Sequence, residues 1–291
     1  MTTQPNWLNT RDYPFDHHYM TMPAGRMHYL DEGQGDQVLL FVHGTPTWSF
    51  LYRDVIRAFA KKYRCVAIDH LGFGLSDVSK TTFDGTPASH AQNLKQLIEW
   101  LDLRNITLIV HDFGGPIGLA AALDISDRID RVVLFNSWLW ATEDTPEVQK
   151  IDKLVRSWLG RFLYLRLNIS PKYLLKQGFS DKTLLPKGIH RQYIKPFPTR
   201  ASRRPLLQIA EALAGSSDWY QEQWERLNTL AGKEWLILWG TKDRFITPAF
   251  LEKWQDQLPD AQVQRFDCGH FVMEERTEEV IERIGRFLGR E

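Results

Sequence analysis

The segment Val110-His-Asp-Phe-Gly-Gly-Pro-Ile-Gly118 constrains this chain more than any other. It leaves an apolar run, Ile106-Thr-Leu-Ile-Val110, that reads as a buried strand. It then enters Gly118-Leu-Ala-Ala-Ala-Leu123, which reads as the first turns of a helix. A polar residue caught between a strand and a glycine-flanked helix start is forced onto a sharp, strained turn at the top of a sheet. That residue is Asp112, where a serine would be usual. A second apolar run, Val38-Leu-Leu-Phe-Val42, leads into the loop His43-Gly-Thr-Pro-Thr-Trp-Ser49.

Further strand-like runs are Cys65–Ile68, Val132–Phe135, Trp235–Trp239 and Val263–Phe266. Helical patterns lie between several of them, at Tyr52–Lys62, Ala88–Leu101 and Ile117–Leu123. Alternating strands and helices predict a mostly parallel sheet with helices on both faces. Arg26-Met-His-Tyr-Leu-Asp31 alternates apolar and polar residues and suits an antiparallel edge strand. From about Trp138 to Leu230 the strand signal stops. The region is helical in pattern, aromatic-rich and broken by Pro171, Pro186, Pro196, Pro198 and Pro205. We therefore expect one core formed by residues 1–137 and 231–291, with a helical cap at 138–230 inserted between its sixth and seventh strands.

Bulk properties exclude several classes. Lys plus Arg equal Asp plus Glu at 36 each, so the whole-chain charge favours neither nucleic acid nor an anionic membrane. No apolar run approaches the roughly 20 residues needed to span a bilayer. Met1–Leu8 has neither the charged nor the apolar part of a secretory signal. Cys65 and Cys268 stand isolated, with no zinc-type spacing. These features predict a cytoplasmic chain with no metal and no cofactor.

Two further loops follow strands: Gly240-Thr-Lys-Asp-Arg-Phe-Ile246 and Asp267-Cys-Gly-His-Phe-Val-Met-Glu274. Working residues of open α/β sheets gather at the carboxyl ends of strands, which is where Asp112, Asp243 and His270 fall. Their order along the chain is nucleophile, acid, histidine. Asp267 is a nearby alternative acid, but only Asp243 follows its strand directly. His43 and His111 read as scaffold beside the turn.

The chain resembles the haloalkane dehalogenase family of the α/β-hydrolases. The resemblance rests on His43–Arg53, Asp69-His-Leu-Gly-Phe-Gly-Leu-Ser-Asp77, His111–Gly115, Phe135-Asn-Ser-Trp138, Trp239-Gly-Thr-Lys-Asp243 and Cys268-Gly-His-Phe-Val272. It implies an α/β-hydrolase fold with a mostly parallel eight-stranded sheet and a helical cap, acting on a small apolar substrate and water. An aspartate, with an ordinary pKa near 3.9, is already an anion at neutral pH and needs no activation. Asp112 would displace a leaving group from an sp³ carbon. His270, oriented by Asp243, would activate the water that cleaves the ester, with the backbone N–H groups of Thr45 and Phe113 as the oxyanion site.

One departure concerns the leaving group. The family holds the departing halide with two side-chain N–H donors, a tryptophan directly after the nucleophile and an asparagine after the His-Gly pair or a cap tryptophan. This chain has Phe113 and Thr45 at the two motif positions. Each lost donor should cost on the order of 1.5–3 kcal/mol. Trp138, Trp140 and Trp158 are the candidate replacements. Epoxide hydrolases share much of the pattern and protonate the ring with cap tyrosines, for which Tyr164, Tyr173 and Tyr193 supply phenols. A silent ligand-binding module is the reading from another class, though it would not need Asp243 and His270 together.

Overall fold

The computed structural model describes residues 5–78 and 83–289. Eight strands form one sheet: β1 (His18–Met22), β2 (Gly25–Glu32), β3 (Val38–Val42), β4 (Arg64–Ile68), β5 (Ile106–His111), β6 (Ile129–Phe135), β7 (Glu234–Gly240) and β8 (Gln262–Phe266). Their order is β1-β2-β4-β3-β5-β6-β7-β8. The β1–β2 and β2–β4 pairs are antiparallel and the rest are parallel. The run at Arg26–Asp31 is antiparallel as expected, yet it lies one strand in from the edge. The edge itself is β1, whose short His18-Tyr-Met-Thr-Met22 carries only a weak alternation.

Helices α1 (Arg53–Phe59), α2 (Pro87–Trp100) and α3 (Gly114–Asp124) follow β3, β4 and β5. Between β6 and β7 the described residues hold no strand. They form α4 (Pro146–Arg156), α5 (Trp158–Phe162), α6 (Leu175–Gln177), α7 (Lys187–Ile194), α8 (Arg204–Gly215) and α9 (Ser217–Glu225). Two of the prolines that interrupt the sequence pattern stand at helix starts: Pro186 immediately precedes α7, and Pro205 lies in the first turn of α8. The chain closes with α10 (Pro248–Gln257), α11 (Val272–Glu275) and α12 (Thr277–Phe287).

The central strands are apolar throughout because both faces are covered. Leu40, Val42, Leu108 and Val110 pack with α2 and α3 on one face. Leu39, Phe41 and Ile109 pack with α1 and α12 on the other. Successive side chains of a strand point to opposite faces, so one apolar run feeds two cores. This leaves the carboxyl ends of β5, β6, β7 and β8 side by side at one edge of the sheet.

Candidate active site

Asp112 follows the last residue of β5 and adopts φ +54°, in the left-handed region. For a residue with a Cβ this conformation costs roughly 1–2 kcal/mol. Neighbouring contacts hold it there. The Asp112 N–H donates to the Asn136 carbonyl at 3.2 Å, and its own carbonyl accepts from Gly115 N–H at 2.9 Å and from Ser137 Oγ at 2.6 Å. Two glycines are required by this crowding. A Cβ on Gly44 would stand 2.2 Å from Asp112 Oδ1, and one on Gly115 would stand 1.7 Å from Ser137 Oγ.

The structure brings Asp112, His270 and Asp243 together from the ends of β5, β8 and β7. Asp112 Oδ1 accepts from the backbone N–H of Thr45 at 2.7 Å, and the N–H of Phe113 also bonds this carboxylate. Its Oδ2 lies 3.5 Å from His270 Nε2. His270 Nδ1 donates to Asp243 Oδ2 at 2.7 Å. Asp243 Oδ1 accepts from the N–H groups of Phe245 and Ile246, at 2.7 and 3.1 Å. All three side chains are buried. The alternative acid, Asp267, has a side chain 74% exposed and pairs with Lys242 at 2.8 Å.

Burial alone would raise the Asp112 pKa, but His270 and the backbone donors outweigh it and hold the carboxyl below its ordinary value. For His270, burial opposes the charge while Asp243 and Asp112 favour it, and the pair win, pushing the imidazole up to about 10. A histidine raised in the folded state stabilises the fold fully below its unfolded pKa, near 6.5, and loses that contribution as pH rises through the folded value. Stability is therefore expected to decline between about pH 6.5 and 10, and His270→Gln should flatten that slope in chemical denaturation curves. Parallel pH profiles for the two proteins would contradict the charge assignment.

Two residues at the site, Asn136 and Gly178, were not singled out in the sequence, and a third, Tyr164, was named there only as one of three cap phenols. Asn136, first after β6, donates from Nδ2 to Asp243 Oδ2 at 2.8 Å and anchors itself on Gly240 through N–H and C=O contacts at 2.8 and 3.1 Å. Its position directly after a strand was the available signal. Gly178, between α6 and α7, accepts the His270 N–H at 2.7 Å. No local pattern could reveal that contact. Tyr164 is half-buried, and burial together with the Asp112 charge pushes its phenol up to about 12.

The three tryptophans part company. Trp158 is 80% exposed at the start of α5, so the expectation that its indole meets the leaving group is corrected. Trp140 is buried among Trp224, Phe250 and Trp254 in an aromatic cluster, where it serves packing. Trp138 packs edge-on against Phe113, with ring centres 4.8 Å apart, and its indole N–H is buried without a partner. The Thr45 hydroxyl is likewise buried and unpartnered. His43 and His111 act as scaffold: His43 accepts the His70 N–H at 3.0 Å, and His111 Nε2 donates to the His270 carbonyl at 2.9 Å. Among the described residues no three His, Cys, Asp or Glu side chains converge as a metal site.

Comparison with known proteins agrees with this architecture. The α/β hydrolase fold family matches residues 37–277. A cis-3-alkyl-4-alkyloxetan-2-one decarboxylase of Shewanella oneidensis is 34% identical, over 94% of this chain and 89% of its own. Haloalkane dehalogenase 2 of Mycobacterium tuberculosis is 32% identical, over 94% and 96%. The crystal structure of haloalkane dehalogenase DatA from Agrobacterium tumefaciens C58 superposes with a TM-score of 0.83 at 26% identity, covering 94% of this chain and 96% of that one. The chain therefore belongs to the α/β-hydrolase fold family, as an enzyme related to the haloalkane dehalogenases.

Proposed function

We propose that this enzyme is a hydrolase of dehalogenase type that works through an ester of Asp112, with the helices between β6 and β7 forming a cap over the site. The reading is carried by the two oxygens of the Asp112 carboxylate. Oδ1 accepts from the backbone N–H of Thr45, while Oδ2 points towards His270. Oδ2 attacks the sp³ carbon and the leaving group departs with the bonding pair. Oδ1 becomes the ester carbonyl, already bonded to the Thr45 N–H that, with the neighbouring N–H of Phe113, would hold its negative charge when water adds. Water attacks the carbonyl carbon and gives its proton to His270 Nε2, held in orientation by Asp243 and Asn136. The tetrahedral intermediate then collapses: the ester bond breaks, the alcohol leaves with the proton from His270, and the Asp112 carboxyl is restored. Alkylation also removes the Asp112 charge, one of the two that favour the imidazolium. His270 thus sheds its proton more readily once the ester exists.

The Phe113 side chain offers the leaving group no N–H, so the Thr45 hydroxyl and the Trp138 indole packed on Phe113, both buried and unpartnered, are the donors we expect to meet it. Phe113→Trp restores a donor where charge develops only as the bond breaks, which raises the chemical step rather than ground-state binding. A donor worth roughly 1.4 kcal/mol gives about tenfold faster alkylation. The gain should be larger for chloride than bromide in stopped-flow measurements. Unchanged rates for a folded variant would mean that Thr45 or Trp138 already does the work.

A second reading is favoured by the missing N–H together with the oxetanone decarboxylase relative. In a β-lactone the leaving group is a carboxylate tethered to the substrate. Attack by Asp112 on the ring carbon that bears oxygen opens the ring to an alkyl ester and a free carboxylate. Loss of CO₂ then sends electrons into a new C=C bond and expels Asp112 unchanged. This route consumes no water. Assay of a terminal bromoalkane, an epoxide and a cis-3,4-dialkyl oxetan-2-one separates the readings. Halide and alcohol support the first, alkene and CO₂ support the second, and turnover of the epoxide alone would reject both.

A further inference from the structure

The even charge of the whole chain hides a local excess. Between Val148 and Arg204 stand fourteen Lys and Arg against two Asp, a net +12. The rest of the chain, with 22 basic and 34 acidic residues, carries −12. Twelve of the fourteen basic residues are exposed. Arg156 pairs with Asp152 and Arg161 with Glu211, at 2.8 and 2.9 Å. Whole-chain neutrality, which predicts no attraction to an anionic membrane, averages over two opposite regions.

The same segment turns large apolar side chains to solvent. Ile151 and Leu154 are three positions apart on α4, and Trp158 and Phe162 four apart on α5, so each pair shares a helix face. Leu159 and Leu167 are exposed beside them. Contiguous apolar exposure of this kind marks an interaction surface. Just beyond α5, Tyr164 turns inward, into the field of Asp112, so the apolar face is the outer side of a segment that reaches the site.

We propose that α4 and α5 dock on an anionic phospholipid surface, with Trp158 and Phe162 entering the headgroup boundary and the surrounding Lys and Arg meeting phosphates. Aromatic and leucine side chains amid basic residues make an interfacial helix. Aromatic rings suit the membrane–water boundary, and cations suit a negative leaflet. No helix among the described residues is long and apolar enough to cross a membrane, so the contact lies on the surface. On the function proposed above, which this step does require, an apolar substrate dissolved in lipid would enter from this side.

Co-sedimentation of the full chain with phosphatidylcholine vesicles, with and without phosphatidylglycerol, tests the docking without any turnover. An inactive enzyme would answer it equally well. Partitioning onto phosphatidylglycerol vesicles should exceed that onto phosphatidylcholine by about tenfold or more and fall as salt rises. Two double variants, Trp158→Ser with Phe162→Ser and Lys150→Glu with Lys153→Glu, should each bind about tenfold less with unchanged circular dichroism. Absence of binding at low salt, or undiminished binding by both folded variants, would overturn the proposal. So would self-association without vesicles that Trp158→Ser abolishes, since the face would then be a contact between copies.

Discussion

Replacing His270 with glutamine is expected to arrest the enzyme as a covalent adduct. Alkylation uses only the Asp112 carboxylate, which is ionised before substrate arrives, so the first step survives. Ester hydrolysis needs a base at Nε2, and loss of a general base slows such a step by about 10²–10⁴-fold. Intact-mass spectrometry after incubation with a bromoalkane should show the protein heavier by the alkyl group, with the modified peptide containing Asp112. Glutamine also removes the buried charge that Asp243 and Asp112 stabilise, so the variant is best compared with wild type near pH 9, where that difference has diminished. Unmodified protein after prolonged incubation would reject the assignment. With an oxetanone as substrate the outcome separates the two readings again, because decarboxylation expels Asp112 without a base and the variant should keep turning over.

Asp112→Asn should have the larger effect on overall rate. The amide is nearly isosteric, and asparagine tolerates the left-handed backbone that φ +54° demands, so the fold should persist. What it lacks is the anionic nucleophile. We expect turnover of every substrate class to fall by about 10⁴-fold or more, with no adduct detected. In wild type, a single turnover in ¹⁸O-water should place label in the Asp112 peptide, since water attacks the ester carbonyl carbon. Label confined to the product of that first turnover would mean direct attack by water on the substrate, with Asp112 as a base.

Much of the candidate site was legible because each member announces itself locally. Asp112, Asp243 and His270 each follow an apolar run at a turn, and a strand's carboxyl end is a position that sequence pattern can place. The helper residues were harder. Asn136 follows a strand within a segment shared with the family, but that position does not say that its side chain holds Asp243. Its role depends on β6 and β7 lying side by side, a pairing between residues about one hundred positions apart. The tryptophans illustrate the same limit. Trp138, Trp140 and Trp158 offer identical indoles in sequence, yet one abuts Phe113, one is packed among aromatics, and one stands in solvent.

By itself the sequence determined the alternation of strands and helices, because strand burial and helix starts follow from periods of two and 3.6 and from the residues at each break. It also placed a carboxyl, Asp112, at the turn, but the surroundings keep it ionised, since burial alone would raise its pKa and His270 with the backbone N–H of Phe113 lowers it. Tertiary structure decided strand order, with the short β1 at the edge, and which donors surround Asp112. It decided too that the basic residues of α4 and α5 share a surface with exposed aromatics instead of facing a core. The physical reason is that hydrogen bonds and fields act across space with no regard for chain separation. Contacts such as His270 to Gly178 exist only once the sheet and helices have brought distant segments within 3 Å.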